Sequence, residues 1–357
     1  MSEARTGIEN YLHHLLPGLA ARWRALGGEV VVFAANPAVV AHVDPPVRVL
    51  PGGGRGWTQL RLPGALRAAG VDVYFTPIPV LPLLLPLPCP SVVTVHDLLE
   101  FRPRWWYFRR LIGHTLDHAA AAICVSQATQ AEVAEAFPRA AARTLVVREA
   151  ADPAVFHKDR GRGGAADQLL QRLGITRPPI VAVGTIQPRK NYARLIDAYA
   201  RATAALEEPP QLVIVGRRGW EFEDVLALPA ALGIEARVLF AGHLSELEVG
   251  ELLRHALMLA AVSLGEGFGL PLVEAMYSGL PVLAADIPAF REVAGNAALF
   301  VNPLSADDIA AGLRRLLDST TLREELRLVG RARRSMFSWD RASEEVCATL
   351  RSALTAI

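Results

Sequence analysis

Three cysteines in 357 residues, Cys89, Cys124 and Cys347, are too few and too scattered to make a CxxC pair. That shortage argues against a zinc site or a disulfide framework and fits a reduced compartment, with the thiols acting as small core side chains. Charge of one sign is lacking too. Lysine plus arginine (37) against aspartate plus glutamate (36) leaves a formal +1, so no chain-wide field calls for nucleic acid and any anion site must be local. The N-terminus, Met-Ser-Glu-Ala-Arg-Thr-Gly, has neither the apolar region nor the cleavage site of a secretory signal, so a cytoplasmic chain is expected. No apolar run is long enough to span a bilayer. The longest, Val80 to Pro90, is broken by prolines and reads as a loop with apolar contacts.

What is present is apolar material: 52% of the residues, with a fifth charged, enough for buried parallel sheets. The length exceeds one ordinary hydrophobic core, so two domains of about 150 residues with a cleft between them are expected. A helix-period segment at Ile8–Leu26 precedes a β-branched run at Glu29–Ala34. Ser91–Val95 precedes a helical Trp105–Ala122, and Ala121–Val125 precedes Ala128–Phe137. The domain boundary is placed near a Gly/Arg-rich stretch at Asp159–Ala166. After it the rhythm restarts with Ile180–Gly184, Gln211–Val215, Arg237–Ala241, Leu257–Val262 and Pro281–Ala284, followed by helices at Ala306–Leu317, Leu322–Phe337 and Trp339–Leu354. This alternation predicts an α/β fold of parallel, doubly wound sheets. One element is lacking. No strand precedes the helix at Ile8, although such a domain normally begins with a central strand; either the start lies upstream or another segment fills the gap.

The run Leu257–Pro288 carries the most chemistry. A buried strand, Leu257–Val262, leads into Ser263-Leu264-Gly265-Glu266-Gly267-Phe268-Gly269-Leu270, and Pro271 stands where a helix begins, a place at which proline forfeits no hydrogen bond. Glycines ahead of a helix let backbone N–H groups approach a phosphate, and the helix dipole adds partial positive charge. Glu266 in the loop and Glu274 about a turn inside the helix flank this cradle, and carboxylates suit the hydroxyls of a sugar. As an isolated pair they would read as a helix cap and a solvated surface residue; the Gly-Phe-Gly between them favours a ligand.

A second cluster, Gly184-Thr185-Ile186-Gln187-Pro188-Arg189-Lys190-Asn191, follows the strand Ile180–Gly184. Arg189 and Lys190, at the C-terminal edge of a parallel strand, are placed to neutralise a diphosphate; the plainer reading is a solvated helix start. In the N-terminal half, Val92-Val93-Thr94-Val95-His96-Asp97 ends a buried strand on a histidine. Such a residue is more often a core or turn histidine than a catalytic one, but the strand's C-terminal edge favours the cleft.

Five segments, in order along nearly the whole chain, resemble the retaining family-4 glycosyltransferases of the GT-B fold. They are Thr6-Gly7-Ile8-Glu9-Asn10-Tyr11, Thr94-Val95-His96-Asp97-Leu98, Val125-Ser126-Gln127-Ala128-Thr129, Val183-Gly184-Thr185 with Pro188-Arg189-Lys190-Asn191, and Glu266 to Glu274. The resemblance implies two Rossmann-like domains with parallel sheets facing a central cleft. These are an acceptor-side domain over 1–160 without its first strand, a nucleotide-sugar-binding domain over 170–335, and a C-terminal helix, 336–357, returning to the first domain. It also implies roles. Arg189 and Lys190 hold the donor diphosphate, helped by the Gly269 and Leu270 amides; Glu274 accepts hydrogen bonds from the ribose hydroxyls, and Glu266 contacts the donor sugar. Gly7 lies near the phosphates, Gly184, Gly267 and Phe268 belong to the donor site, and His96 lines the donor-sugar and acceptor cleft. His96, Arg189, Lys190 and Glu266 are the expected catalytic residues. The family generally works without an obligatory metal, in keeping with the lack of an Asp-x-Asp motif, so neither metal nor cofactor is expected and cationic side chains ease the departure of the phosphate. Gln187 stands where many relatives carry glutamate, and the family's glycine loop is reduced to Gly7.

The segment Phe101-Arg102-Pro103-Arg104-Trp105-Trp106-Tyr107-Phe108-Arg109-Arg110 interleaves four cations with five aromatics. Two readings stay open: peripheral contact with the inner face of a membrane, serving a lipid-linked acceptor, or a helix that packs its aromatics inward and leaves its arginines in water. Three function classes stay open as well. One is a transferase moving a hexose, mannose-like at the level of the family, from a nucleotide sugar to a hydroxyl of a glycan or lipid-linked acceptor. The others are a sugar-nucleotide epimerase on the same architecture and a catalytically silent binding protein. Biosynthesis of a bacterial surface polysaccharide is the expected setting, with no nucleic-acid partner.

Overall fold

The computed structural model describes residues 7–34, 40–43, 47–54, 56–98, 105–157 and 164–355. Met1–Thr6, Phe101–Arg104 and the 159–163 part of the Gly/Arg-rich stretch lie outside the described residues, and with them parts of three sequence readings. The chain divides into two compact units: residues up to Glu149 together with those from Ser338 onward, and Ala150–Phe337. Among the described residues no helix is long and apolar enough to cross a membrane.

In the first unit all strand pairings are parallel. β1 (Val31–Ala34) pairs with β2 (Arg48–Pro51), while β3 (Tyr74–Thr76), β4 (Ser91–Val95), β5 (Ala121–Cys124) and β6 (Thr144–Val146) form a second sheet in that order. No ladder joins the pair to the quartet among the described residues.

β4 is buried along its whole length, so both its faces need cover. One face receives two helices from opposite ends of the sequence, Gly7–Ala25 and Trp339–Thr355. Tyr11, Leu15 and Leu19 of the former and Val346, Cys347 and Leu350 of the latter share a core with Val92 and Ile123. The apolar stripe of the last helix is the surface that meets the first, closely enough that a Cβ on Gly18 would stand 2.4 Å from Ser343 Oγ. The other face holds Val93 and Val95 against Ile112 and Leu116 of the helix Trp105–His118 and Val133 of the helix Gln127–Ala136.

The second unit has one six-stranded parallel sheet: β7 (Ile180–Val183), β8 (Leu212–Val215), β9 (Val238–Gly242), β10 (Met258–Ala261), β11 (Val282–Ala285) and β12 (Ala298–Val301), ordered β12-β11-β10-β7-β8-β9. The chain lays down β7, β8 and β9 in one direction and then crosses back to place β10 on the other side of β7, with Met258 opposite Ile180 and Leu259 opposite Val181. That reversal is the topological switch point, where open α/β sheets leave a crevice at the carboxyl ends of their strands. β8 and β11 are buried throughout, as continuous apolar strands covered on both faces should be.

Leu350→Ala is expected to lower the stability of the first unit by about 2–4 kcal/mol, through lost burial and the cavity left between the two terminal helices. A lowered urea midpoint by circular dichroism would register it. An unchanged midpoint would mean that those helices do not pair in solution.

Candidate active site

Two loops leave the switch point side by side, one after β7 and one after β10. Gly184 has φ 145°, and a Cβ there would lie 2.7 Å from Lys190 Cε; glycine is what lets the Lys190 side chain fold back over the strand end. Pro188–Lys190 forms a single 3-10 turn closed by Asn191 in the left-handed conformation, φ 61°, which asparagine tolerates better than most residues. Asn191 is buried and donates from Nδ2 to the carbonyls of Val262 at 2.9 Å and Pro303 at 2.8 Å. The Leu264 amide donates to the Arg189 carbonyl at 2.8 Å. The loop after β7 is thereby latched to the loop after β10.

Glu266 is the point on which the two loops converge. Its Oε2 accepts from Arg189 Nη1 at 2.6 Å, and its Oε1 accepts both from Lys190 Nζ and from Ser263 Oγ, each at 2.6 Å. Arg189 Nη1 also donates to the Gly265 carbonyl at 3.0 Å. The three charged side chains are only 11–17% exposed. Burial pushes the Glu266 carboxyl up, yet Lys190 and then Arg189, with hydrogen bonds from Lys190 and Ser263, hold it below its ordinary value of 4.5. Two cations against one carboxylate leave a net positive charge at the C-terminal edge of the sheet, suited to a polyanion.

Past Glu266 the backbone turns at Gly269, φ 112°, which caps the helix Leu270–Tyr277; a Cβ there would meet the Phe290 ring at 2.8 Å. Pro271 sits in the first turn, and Glu274 is buried on the second. Phe268 is buried and stands edge-on to Phe337, ring centroids 5.8 Å apart. Its ring therefore belongs to the packing of this unit. Gln187 is likewise buried, at the start of the 3-10 turn.

In the first unit His96 lies just beyond β4, where the ends of three strands meet. Its Nδ1 is 2.9 Å from Glu149 Oε1, past β6, and its Nε2 is 3.1 Å from the Pro77 carbonyl, past β3. A carbonyl and an ionised carboxylate only accept, so the two partners favour the ring with a proton on each nitrogen. Burial pulls its pKa down, but the hydrogen bond and charge of Glu149, with smaller help from Asp97 and Pro77, raise it above 6.5 overall. Tyr11 stands edge-on to the ring at 4.9 Å. Gly7, exposed at the start of the same helix, lies one turn before Tyr11. Ser126, which caps the helix Gln127–Ala136 by accepting from the Thr129 amide, follows β5, and Thr129 Oγ1 reaches the His96 carbonyl at 3.4 Å.

The structure thus gathers Gly184, Arg189, Lys190 and Glu266 into one cluster, followed in the chain by Gly269, Leu270 and Glu274, and keeps His96 with Gly7's helix in the other unit. Glu149 was not singled out from the sequence, and Ser263 and Asn191 stood inside the motifs without a role of their own. Each is a polar residue within a few positions of a strand's carboxyl end, or of the turn that follows one, and that location was the available signal.

Glu149→Gln should bring the His96 titration back toward or below 6.5, followed through the imidazole C–H resonances by NMR. With the folded pKa raised, the pair's contribution to stability is complete below 6.5 and fades as pH rises through the folded value; the variant should lose that dependence. A titration indifferent to the substitution would show that the contact is not made in solution.

Residues 5–155 match the family model described as Glycosyltransferase Family 4, and residues 169–333 that described as Glycosyl transferases group 1. O-antigen chain mannosyltransferase B of Escherichia coli is 28% identical over 264 residues, covering 71% of this chain and 68% of its own. MMP alpha-(1->4)-mannosyltransferase of Mycolicibacterium hassiacum is 30% identical over 261 residues, 71% of this chain and 59% of its own; the chain spans less than two thirds of that relative. The crystal structure of Anabaena HepE in complex with UDP and glucose shares the fold, with a TM-score of 0.75 over 99% of this chain and 98% of that one, at 21% identity. The chain belongs to the GT-B glycosyltransferases, with a family-4 amino-terminal half and a group-1 carboxy-terminal half.

Proposed function

We propose that this chain moves a hexose, mannose or a close relative, from a nucleotide-sugar donor to a hydroxyl of a glycan or lipid-linked acceptor, with retention of configuration. The observation that carries this reading is the buried Arg189–Lys190–Glu266 cluster at the β7–β10 switch point. The mannosyltransferases among its relatives support the choice of sugar. In the reaction the bond between the sugar's anomeric carbon and the diphosphate oxygen breaks, and the diphosphate departs with the electron pair. In this reading Arg189, Lys190 and the N-terminus of the helix Leu270–Tyr277 stabilise that developing negative charge. The new bond to the acceptor oxygen forms on the face the phosphate leaves, and the hydroxyl proton goes with the phosphate. Glu274 takes the ribose hydroxyls. Glu266 orients both cations while meeting the sugar, and His96, bonded to Glu149, is the catalytic residue of the first unit. In this reading the chain's own cations supply the charge stabilisation and no cofactor is needed, so turnover should survive treatment with a chelator.

The purified chain, given a panel of uridine- and guanosine-diphosphate hexoses with and without candidate acceptors, should release nucleoside diphosphate only when both substrates are present. The anomeric configuration of the product, read by NMR, should match that of the donor. Donor turnover without acceptor would instead mark an epimerase and overturn the reading.

Lys190→Ala and Glu274→Ala should each weaken donor binding about tenfold or more by calorimetry, the loss of a charge-assisted hydrogen bond. Glu266→Gln should mainly lower turnover. It should also lower the melting temperature of the ligand-free protein, because two buried cations lose their counter-charge. Unchanged donor affinity in the first two variants would remove the assignment.

A further inference from the structure

His96 is held at both ring nitrogens, by Glu149 and by the Pro77 carbonyl. Two bonds in the plane of an imidazole still let it rock about the line that joins them. Tyr11 borders the ring. The phenol stands edge-on to the imidazole, centroids 4.9 Å apart and planes at 88°, the kind of pairing that aromatic rings prefer. It is only 3% exposed. Burial pushes the Tyr11 phenol well above its ordinary value of 10, so at neutral pH it adds no charge beside His96 and Glu149. Tyr11 therefore acts on the histidine as a wall, by contact.

The wall has its own backing. Trp339 lies 5.7 Å from Tyr11 at 69° and stacks on His14, with centroids 5.5 Å apart and planes at 16°. Tyr11 and His14 are three positions apart on the helix Gly7–Ala25 and share a face, across which the indole lies. Trp339 opens the last helix, and contacts beyond its own ring hold that helix in place. Arg22 Nη2 donates to Asp340 Oδ1 at 2.7 Å, and Gly18 leaves room for Ser343. Trp339 thus bears on Tyr11, and Tyr11 on His96, although the first and last of these stand near opposite ends of the unit's sequence.

We propose that Tyr11 is a positioning residue for His96, with Trp339 fixing Tyr11 in turn, so that the last helix of the chain sets the plane of the imidazole. The catalytic role of His96 belongs to the sugar-transfer reading, on which this rests; the ring contacts do not depend on it. An imidazole that rocks lengthens and bends its hydrogen bonds, which weaken steeply with angle. A reacting group slightly out of place costs rate, while the Arg189–Lys190–Glu266 cluster in the other unit is untouched.

Tyr11→Leu should lower turnover about tenfold and leave calorimetric donor affinity unchanged. It should also bring the His96 titration, followed by NMR through the imidazole C–H resonances, down toward 6.5 as the bond to Glu149 loosens. Tyr11→Phe, which keeps the ring, should restore both. Trp339→Leu should move both in the same direction by less, and it takes the place of Tyr11→Leu should that variant fail to fold. Leu15→Ala, in the same helix and the same core, marks what loss of packing alone does: a lower melting temperature, with turnover and titration as in wild type. The proposal is overturned if Tyr11→Leu leaves the titration in place or if Leu15→Ala reproduces its effects. It is equally overturned if Tyr11→Phe fails to restore them, since the hydroxyl rather than the ring would then be at work. Should wild type itself show no acceptor-dependent turnover, the sugar-transfer reading falls, and the His96 titration in the same variants decides the positioning by itself.

Discussion

The carboxylate of Glu266 and the two cations it holds set the terms for the second unit. A carboxylate so far from water would take up a proton if left alone, and two neighbouring cations would repel one another. Only as a set can the three be buried. The parallel ladder that joins β7 to β10 is short, and beyond it the two loops have no strand pairing to keep them together. The ion cluster, the Asn191 amide on the Val262 carbonyl and the Leu264–Arg189 backbone bond continue the connection by other means. The glycines at 184 and 269 serve this arrangement. One makes room for the lysine chain and the other for the Phe290 ring.

The first unit repeats the device with a cation whose charge is conditional. In a parallel sheet every strand delivers its carboxyl end to the same edge, so polar residues that follow different strands become neighbours however far apart they are in the chain. His96, Pro77 and Glu149 meet in this way beyond β4, β3 and β6. The acceptors around His96 favour its protonated form, so this cation answers to pH.

How much of this could be read from residues alone follows from range. β4, β7, β8, β10 and β11 are fully or mostly buried apolar runs, and their periodicity announces them. The strands β2, β3, β6 and β12 are only partly buried, without a regular alternation, and so do not stand out. The Arg189–Lys190–Glu266 cluster was legible as two separate loops, each with glycine and charge just past a strand. That Arg189 and Glu266 bond across a sequence separation of 77 residues was not, because it depends on β10 returning to lie beside β7. The same holds for Glu149, whose bond to His96 spans 53 residues. Phe268 sat inside a legible motif, yet its ring faces the core, since side-chain direction in a loop has no period to read.

The helix Trp339–Thr355 completes a core begun by Gly7–Ala25, and its position in the chain has a consequence for synthesis. A ribosome delivers the whole of the second unit before it delivers the residues that cover Leu15, Leu19 and Val92. Domains tend to fold as they emerge, so the second unit can close while the first still shows an apolar face. For the time it takes to translate nearly two hundred residues, the nascent chain carries one finished half and one unfinished one. The core of the first unit can therefore close only once that last helix has been made.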